Sequence, residues 1–280
     1  AMLGLGVSHL ELTLLLRRKG IDVTACDRRS LEALGDTGRT LAEAGVSLRL
    51  GDGYLEGLEQ FDVIFRTPGM NFHMAALQRA MAAGRAVTSE MEVFFDLCPC
   101  PVIAVTGSDG KTTTTTLIAE MLKAQGRTVH LGGNIGRALL PIIEEIRPED
   151  VAVVELSSFQ LISMRQSPQI AVVTNVAPNH LDVHKDMAEY IAAKENILLH
   201  QNAFSRTVLN ADNDITRAMA GQVRGELLTF SRRQRPARGT FLDEEGRLCF
   251  VDGEACIPLL HRSEIRIPGI HNVENFLAAI

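Results

Sequence analysis

The chain has 280 residues, 46% of them hydrophobic and 22% charged, with a formal net charge of −6 at pH 7. That balance excludes a mainly disordered or fibrous protein, and the negative sign argues against a general nucleic-acid binder, whose surface is basic. No apolar run approaches the roughly 20 residues that span a bilayer, and the chain opens into a glycine turn instead of a secretory leader, so a cytoplasmic protein acting off the membrane is expected.

In chain order, Leu10 to Lys19 reads as a helix stopped by Gly20, and Ile21 to Cys26 as a strand. Phe61 to Phe65 is a second strand, closed by Thr67-Pro68-Gly69, and Ala75 to Ala83 a helix stopped by Gly84. A glycine just past an apolar stripe ends a helix, and strand alternating with helix builds a parallel sheet with helices on its faces. Pro99 and Pro101 then punctuate the chain, dividing it into domains 1–95 and 96–280. Val102 to Thr106 is a continuous β-rich run, as for a strand buried on both sides. Leu117, Ile118, Met121 and Leu122 form a helical stripe stopped by Gly126. Strands are expected at Val151 to Leu156, Ile170 to Val176 and Thr207 to Leu209. Beyond residue 225, Asp243-Glu244-Glu245-Gly246 and Asp252-Gly253 look like hairpin turns.

The fold class is therefore α/β: a small Rossmann-like parallel-sheet domain, then a larger α/β domain with a short antiparallel addition. Only Ala1, Met2 and Leu3 precede Gly4, and the helix pattern from Val273 to Ile280 has no stop signal. Both ends read as cut, and continuation past Ile280 is expected. The five cysteines (Cys26, Cys98, Cys100, Cys249, Cys256) are scattered, and Cys98-Pro99-Cys100 is too tight for CxxC metal spacing. Reduced thiols are expected.

The sharpest motif is Thr106-Gly107-Ser108-Asp109-Gly110-Lys111-Thr112-Thr113, between a buried strand and a helix. Its glycines let backbone N–H groups turn inward as an anion cradle. Lys111 would neutralise the outer phosphates of a nucleotide, with the Thr112 hydroxyl on Mg²⁺. The general pattern wants a further glycine where Val105 stands, and a glycine turn capping a helix is the other account. The Gly-Lys-Thr core in this context favours phosphate. For Thr114 to Thr116, surface hydroxyls bonding back to the helix are expected. Mg²⁺ needs oxygen ligands at the same end of the sheet. Glu155 qualifies, because a carboxylate inside an apolar strand is costly unless paired or coordinated. His180 follows the next strand, where a structural and a functional role both fit.

Thr-Gly-Ser-Asp-Gly-Lys-Thr-Thr, Gly133-Asn134-Ile135-Gly136, Glu155-Leu-Ser-Ser-Phe-Gln160, Asn175-Val…His180-Leu-Asp182 and Gly269-Ile-His271-Asn272…Asn275 resemble, in order and spacing, the motifs of the Mur ligases. These are ATP-dependent amide ligases of peptidoglycan precursor synthesis, and they too lack the extra upstream glycine. The likeness covers the family's first two domains, and its third appears to be missing. Glu-Leu-Ser-Ser-Phe-Gln-Leu is most similar to the branch that adds D-glutamate to UDP-N-acetylmuramoyl-L-alanine.

The resemblance implies a P-loop ATPase domain in which Gly107, Ser108, Asp109, Gly110, Lys111, Thr112 and Thr113 hold ATP, with Asn272 and Asn275 near its base. It implies two Mg²⁺ ions held by Thr112, Glu155, His180 and Lys194, the lysine as a carbamate. Lys111, His180 and Lys194 become the catalytic set. Carbamylation turns a cation into an anionic oxygen ligand, and needs a neutral amine first. Asn134, Gln160 and His180 would meet the muramoyl substrate, and Val7, Ser8, Asp27, Arg29 and Thr67 its UDP end. His9 stands where the dinucleotide fingerprint prefers a third glycine, Arg28 where a small polar residue is usual, and Ala177-Pro178-Asn179 replaces Thr-x-Asp. A monomer is expected. The alternatives are another ligase of the superfamily, including one that extends folate with glutamate, or a nucleotide-binding fragment without ligase activity.

Overall fold

In the computed structural model, which describes residues 1–178 and 184–280, the chain forms two units. One is Ala1–Leu97 with Arg137–Glu145, and the other is Cys98–Gly136 with Ile146–Ile280. The expected division at 95/96 left 137–145 in the second domain, whereas this short stretch packs with the first unit. It is held there by the half-buried Glu90, whose Oε1 accepts from the Leu139 and Leu140 amides at 3.2 and 3.3 Å.

The first unit has strands β1 (Met2–Leu3), β2 (Thr24–Asp27), β3 (Ser47–Leu50), β4 (Val63–Arg66) and β5 (Ala86–Thr88) in the order β3-β2-β1-β4-β5. All pairs are parallel. Helices α1 (Val7–Arg18), α2 (Leu31–Leu34), α3 (Asp36–Glu43), α4 (Ala75–Ala82) and α5 (Glu90–Leu97) complete it. Leu3, Cys26, Leu58, Ile64, Leu77 and Ala80 form a core under the sheet. Because β2 lies on one side of β1 and β4 on the other, the strand order reverses at β1, and such a switch point opens a crevice at the strands' C-terminal ends. The strand expected from Ile21 starts only at Thr24, because the Ile21 amide bonds back to Leu16 at 3.1 Å to close the helix end.

The second unit carries a nine-stranded sheet. Its strands are β6 (Val102–Thr106), β7 (Val129–Gly133), β8 (Val151–Glu155), β9 (Ile170–Val173), β10 (Arg206–Asn210), β11 (Glu226–Ser231), β12 (Arg238–Leu242), β13 (Arg247–Asp252) and β14 (Ala255–His261), ordered β14-β13-β12-β11-β10-β9-β6-β8-β7. Pairing is parallel from β7 through β12. It turns antiparallel at β12–β13 and β13–β14, at the two hairpin turns read from the sequence. Its helices are α6 (Lys111–Ala124), α7 (Ser158–Leu161), α8 (Met187–Leu199), α9 (Asp214–Ala218) and α10 (Ile270–Ala279). Val105, Ile118, Val153, Val172, Phe230 and Leu277 share one core, which sets α6 and α10 side by side on the sheet.

That packing corrects the threonine run. Thr114 and Thr115 are fully buried, Thr114 donating to Asn275 Oδ1 at 3.4 Å and Thr115 back to Lys111 O at 2.7 Å. In this run, only Thr115 shows the expected back-bond, and it faces the core. All five cysteines are free thiols.

Candidate functional site

β6 delivers the chain to the loop at the centre of the sheet, and α6 leaves it with Gly110 as N-cap at φ 79°. The first intrahelical bond runs from the Thr114 amide to Gly110 O at 2.9 Å. The amides of Lys111, Thr112 and Thr113 therefore precede the helical ladder and form its positive end, a natural anion seat. Only glycine fits at Gly110, since a Cβ there would lie 2.2 Å from Asn275 Oδ1. Lys111 folds back, Nζ donating to Gly107 O at 3.1 Å and Ser108 O at 2.9 Å.

Ser108 and Asp109 are used differently. The Ser108 amide donates to Asn175 O at 2.8 Å, and its hydroxyl donates to Ala177 O and accepts from Ala177 N, both at 2.9 Å. The Asp109 amide donates to Asn175 Oδ1 at 3.0 Å, while Thr174 Oγ1 and Asn175 Nδ2 donate to Asp109 O at 2.6 and 3.0 Å. Here these two residues fasten the loop to the chain after β9, and Asn175 is a part of the site that sequence spacing alone did not assign.

Glu155, at the end of neighbouring β8, is 1% exposed. Its Oε2 accepts from Thr112 Oγ1 at 2.7 Å and its Oε1 from Asn134 Nδ2 at 2.8 Å. The loop bearing Asn134 approaches so closely that a Cβ on Gly133 would lie 2.2 Å from Glu155 O. Both donors are neutral. A carboxylate beside a hydroxyl is the hard-oxygen pair that suits Mg²⁺. Among the described residues, no three His, Cys, Asp or Glu converge on a metal position, so Thr112 and Glu155 are the donors that could hold one.

Lys194, on α8, is 1% exposed. Its Nζ donates to Gly107 O at 2.7 Å and to Thr106 Oγ1 at 3.5 Å, above the Tyr190 ring at 4.6 Å. Burial, aided by the charge of Lys111, brings its pKa down to about 7. A substantial share of neutral amine at neutral pH is the chemical requirement for carbamate formation. His180 lies outside the described residues.

The remaining second-unit candidates have structural partners. Gln160 closes a capping box with Ser157, its Oε1 accepting from Ser157 N and Oγ, both at 2.9 Å. Asn272 and Asn275 are buried in the first turns of α10, Asn275 Nδ2 donating to Asn272 Oδ1 at 3.0 Å, and Asn275 borders Gly110. His184 was missed by sequence reasoning. It is buried, stacked on Phe159 with ring centroids 5.2 Å apart, and its Nε2 lies 2.9 Å from Ser158 Oγ.

In the first unit, Val7 opens α1, so the amides of Val7 and Ser8 stand at its positive end, beside the Gly4-Leu5-Gly6 turn. Gly4, at φ 81°, passes so near Thr67 that a Cβ would sit 2.9 Å from Thr67 Cγ2. Asp27 and Arg29 build the turn itself. Asp27 accepts from the Leu5 amide at 2.8 Å and from the Arg29 guanidinium at 3.0 and 2.8 Å, and Arg29 also donates to Leu5 O at 2.9 Å. The Arg29 bonds bring the Asp27 pKa to about 2. His9, in the third-glycine position, is buried with Nδ1 2.7 Å from Gly4 O, and burial lowers its pKa.

A family model described as the Mur ligase middle domain matches residues 105–280. The UDP-N-acetylmuramoylalanine–D-glutamate ligase of Acetivibrio thermocellus is 53% identical over 279 residues, which cover 100% of this chain and 60% of that protein. The protein of the same name from Symbiobacterium thermophilum is 49% identical over 281 residues, with 100% and 62% covered. The chain thus spans about three-fifths of the length of these relatives. Among solved structures, UDP-N-acetylmuramate:L-alanyl-gamma-D-glutamyl-meso-diaminopimelate ligase from Neisseria meningitides aligns with a TM-score of 0.62 at 17% identity, covering 99% of this chain and 90% of that one. UDP-N-acetylmuramate-alanine ligase from Thermotoga maritima aligns with a TM-score of 0.54 at 20% identity, covering 100% and 63%. At those identities the likeness is one of fold. The family model, by contrast, matches sequence from the end of β6 through the phosphate loop and the Glu155 strand to α10, and on that match the chain belongs to the Mur ligase family.

Proposed function

We propose that this chain is the nucleotide- and UDP-sugar-binding portion of a cytoplasmic, ATP-dependent amide ligase that joins D-glutamate to UDP-N-acetylmuramoyl-L-alanine. The observation that carries the reading is Glu155, a buried carboxylate held by two neutral donors beside the helix end where Lys111 and Thr112 begin α6. The names of the half-identical relatives support the choice of substrates.

The α6 amides seat the ATP phosphates, and Lys111 exchanges the Gly107 and Ser108 carbonyls for phosphoryl oxygens. Thr112 and Glu155 would hold one Mg²⁺, and His180 with a Lys194 carbamate would hold the second. Bound there, Mg²⁺ would supply positive charge against the repulsion that otherwise keeps two anions apart. The substrate's alanine carboxylate attacks the γ-phosphorus, ADP leaves, and the D-glutamate amine displaces phosphate from the acyl phosphate. Asn134 and Gln160 border the muramoyl part, and Asn272 and Asn275 the adenine end. In the first unit, the turn at Gly4–Ser8, with Thr67 and the Asp27–Arg29 pair, receives UDP. The protein acts as a monomer.

Binding, not turnover, tests this chain. Calorimetry should show saturable binding of Mg²⁺-ATP and of UDP-N-acetylmuramoyl-L-alanine, with UDP-N-acetylmuramate binding more weakly. Binding of ATP without binding of the UDP sugar would sink the D-glutamate assignment and leave another ligase of the superfamily.

A further inference from the structure

Tyr190 has no part in the reading above, yet it is 1% exposed and sits between the phosphate loop and Lys194. Its hydroxyl lies 3.0 Å from Ser108 Oγ. The single proton of Ser108 already goes to Ala177 O at 2.9 Å, so Tyr190 is the donor in this bond. The ring carries the Lys194 amine above it at 4.6 Å and meets the edge of His184, with centroids 5.3 Å apart. His184 is itself pinned flat on Phe159 and against Ser158 Oγ. The ring is thus gripped by Lys194 and His184, and the hydroxyl is aimed at Ser108. Spacing of four residues on α8 puts Tyr190 and Lys194 on the same helix face.

We propose that Tyr190 is a positioning residue coupling the phosphate loop to Lys194. Its hydroxyl supplies the third bond to the Ser108 hydroxyl, and so fixes the Gly107 carbonyl that Lys194 and Lys111 both engage. Its ring walls the amine in place. Tyr190 acts by holding the loop in the shape that exposes the α6 amides. The proposal rests on the ATP-binding reading.

The test is calorimetry of Mg²⁺-ATP on the 280-residue chain. Tyr190→Phe keeps the ring and loses one hydrogen bond, and should weaken binding about five-fold. Ser108→Ala also loses its two bonds to Ala177 and should weaken binding further, and the double variant should be no weaker than Ser108→Ala alone, because the Tyr190 bond is already gone in it. A general loss of packing would instead add the two effects. The chain has two tyrosines and no tryptophan, so in Tyr54→Phe protein the fluorescence belongs to Tyr190. Mg²⁺-ATP should change that emission, and should leave the emission of Tyr190→Phe protein unchanged. Wild-type affinity in Tyr190→Phe, or additive losses in the double variant, would overturn the coupling while the nucleotide reading stands. An unaltered chain that fails to bind Mg²⁺-ATP would overturn both.

Discussion

Glu155 and Asp27 are both buried carboxylates, and they differ in what surrounds them. Asp27 has its counter-charge in Arg29 and two backbone amides, and its pKa falls to about 2. A depressed carboxyl pKa stabilises the fold above the unfolded value of 3.8 and loses that contribution as pH falls through about 2. A shift of that size corresponds to about 2 kcal/mol. Asp27→Asn should therefore lower stability at pH 7 by about that amount and flatten the decline between pH 4 and about 2, read by urea melts across that range. Glu155 takes its side-chain hydrogen bonds from the Thr112 hydroxyl and the Asn134 amide. Glu155→Gln should reduce Mg²⁺-ATP affinity by about ten-fold or more and leave affinity for ATP in EDTA nearly unchanged. Equal losses with and without Mg²⁺ would remove Glu155 from the metal site. Lys194→Arg keeps a charge that cannot be lost at neutral pH. The unaltered protein should show a carbamate resonance in ¹³C-bicarbonate NMR that this variant lacks.

At the scale of elements, the central strands were legible and the edges were not. β6 and β8 are covered on both faces and read as unbroken apolar runs. β3, β5 and β7 are half-exposed and at sheet edges, where no such run is required, and no strand was read there. The phosphate loop was legible because its chemistry is local, six residues deciding where the amides point. The Asn175 tether and the His184 stack were not, since each depends on which distant segment the fold brings alongside, whereas the Gln160 capping box is a local Ser-x-x-Gln pattern. The same holds for Thr114 and Thr115, whose burial is decided by α10. Gly110 joins both kinds of information, needing a positive φ for the turn and no Cβ for Asn275. Gly110→Ala should cost at least about 2 kcal/mol of stability in chemical denaturation. If Asn275→Gly restores part of that loss, the clash is its cause.

At the scale of the molecule, each unit has its own core, and the first unit is discontinuous in sequence. Replacing 137–145 by a flexible Gly/Ser linker should uncover Glu90 and remove the buried Leu139 and Leu140 from the first unit. Proteolysis should then reach 1–97 more readily, while Mg²⁺-ATP still binds the second unit. Loss of ATP binding in that variant would show that the second unit needs the stretch as well.

The excursion of Arg137–Glu145 also orders events during synthesis. A ribosome releases the chain from its amino terminus, and domains ordinarily condense in the order they emerge. Here the partner of Lys19 is Glu144, so the first unit stays unfinished until that residue has left the exit tunnel. By then the phosphate loop and α6 are already outside, with β8 still to come. Birth of the two units is therefore interleaved, and a nascent chain stalled before residue 137 should expose apolar surface that chaperones recognise.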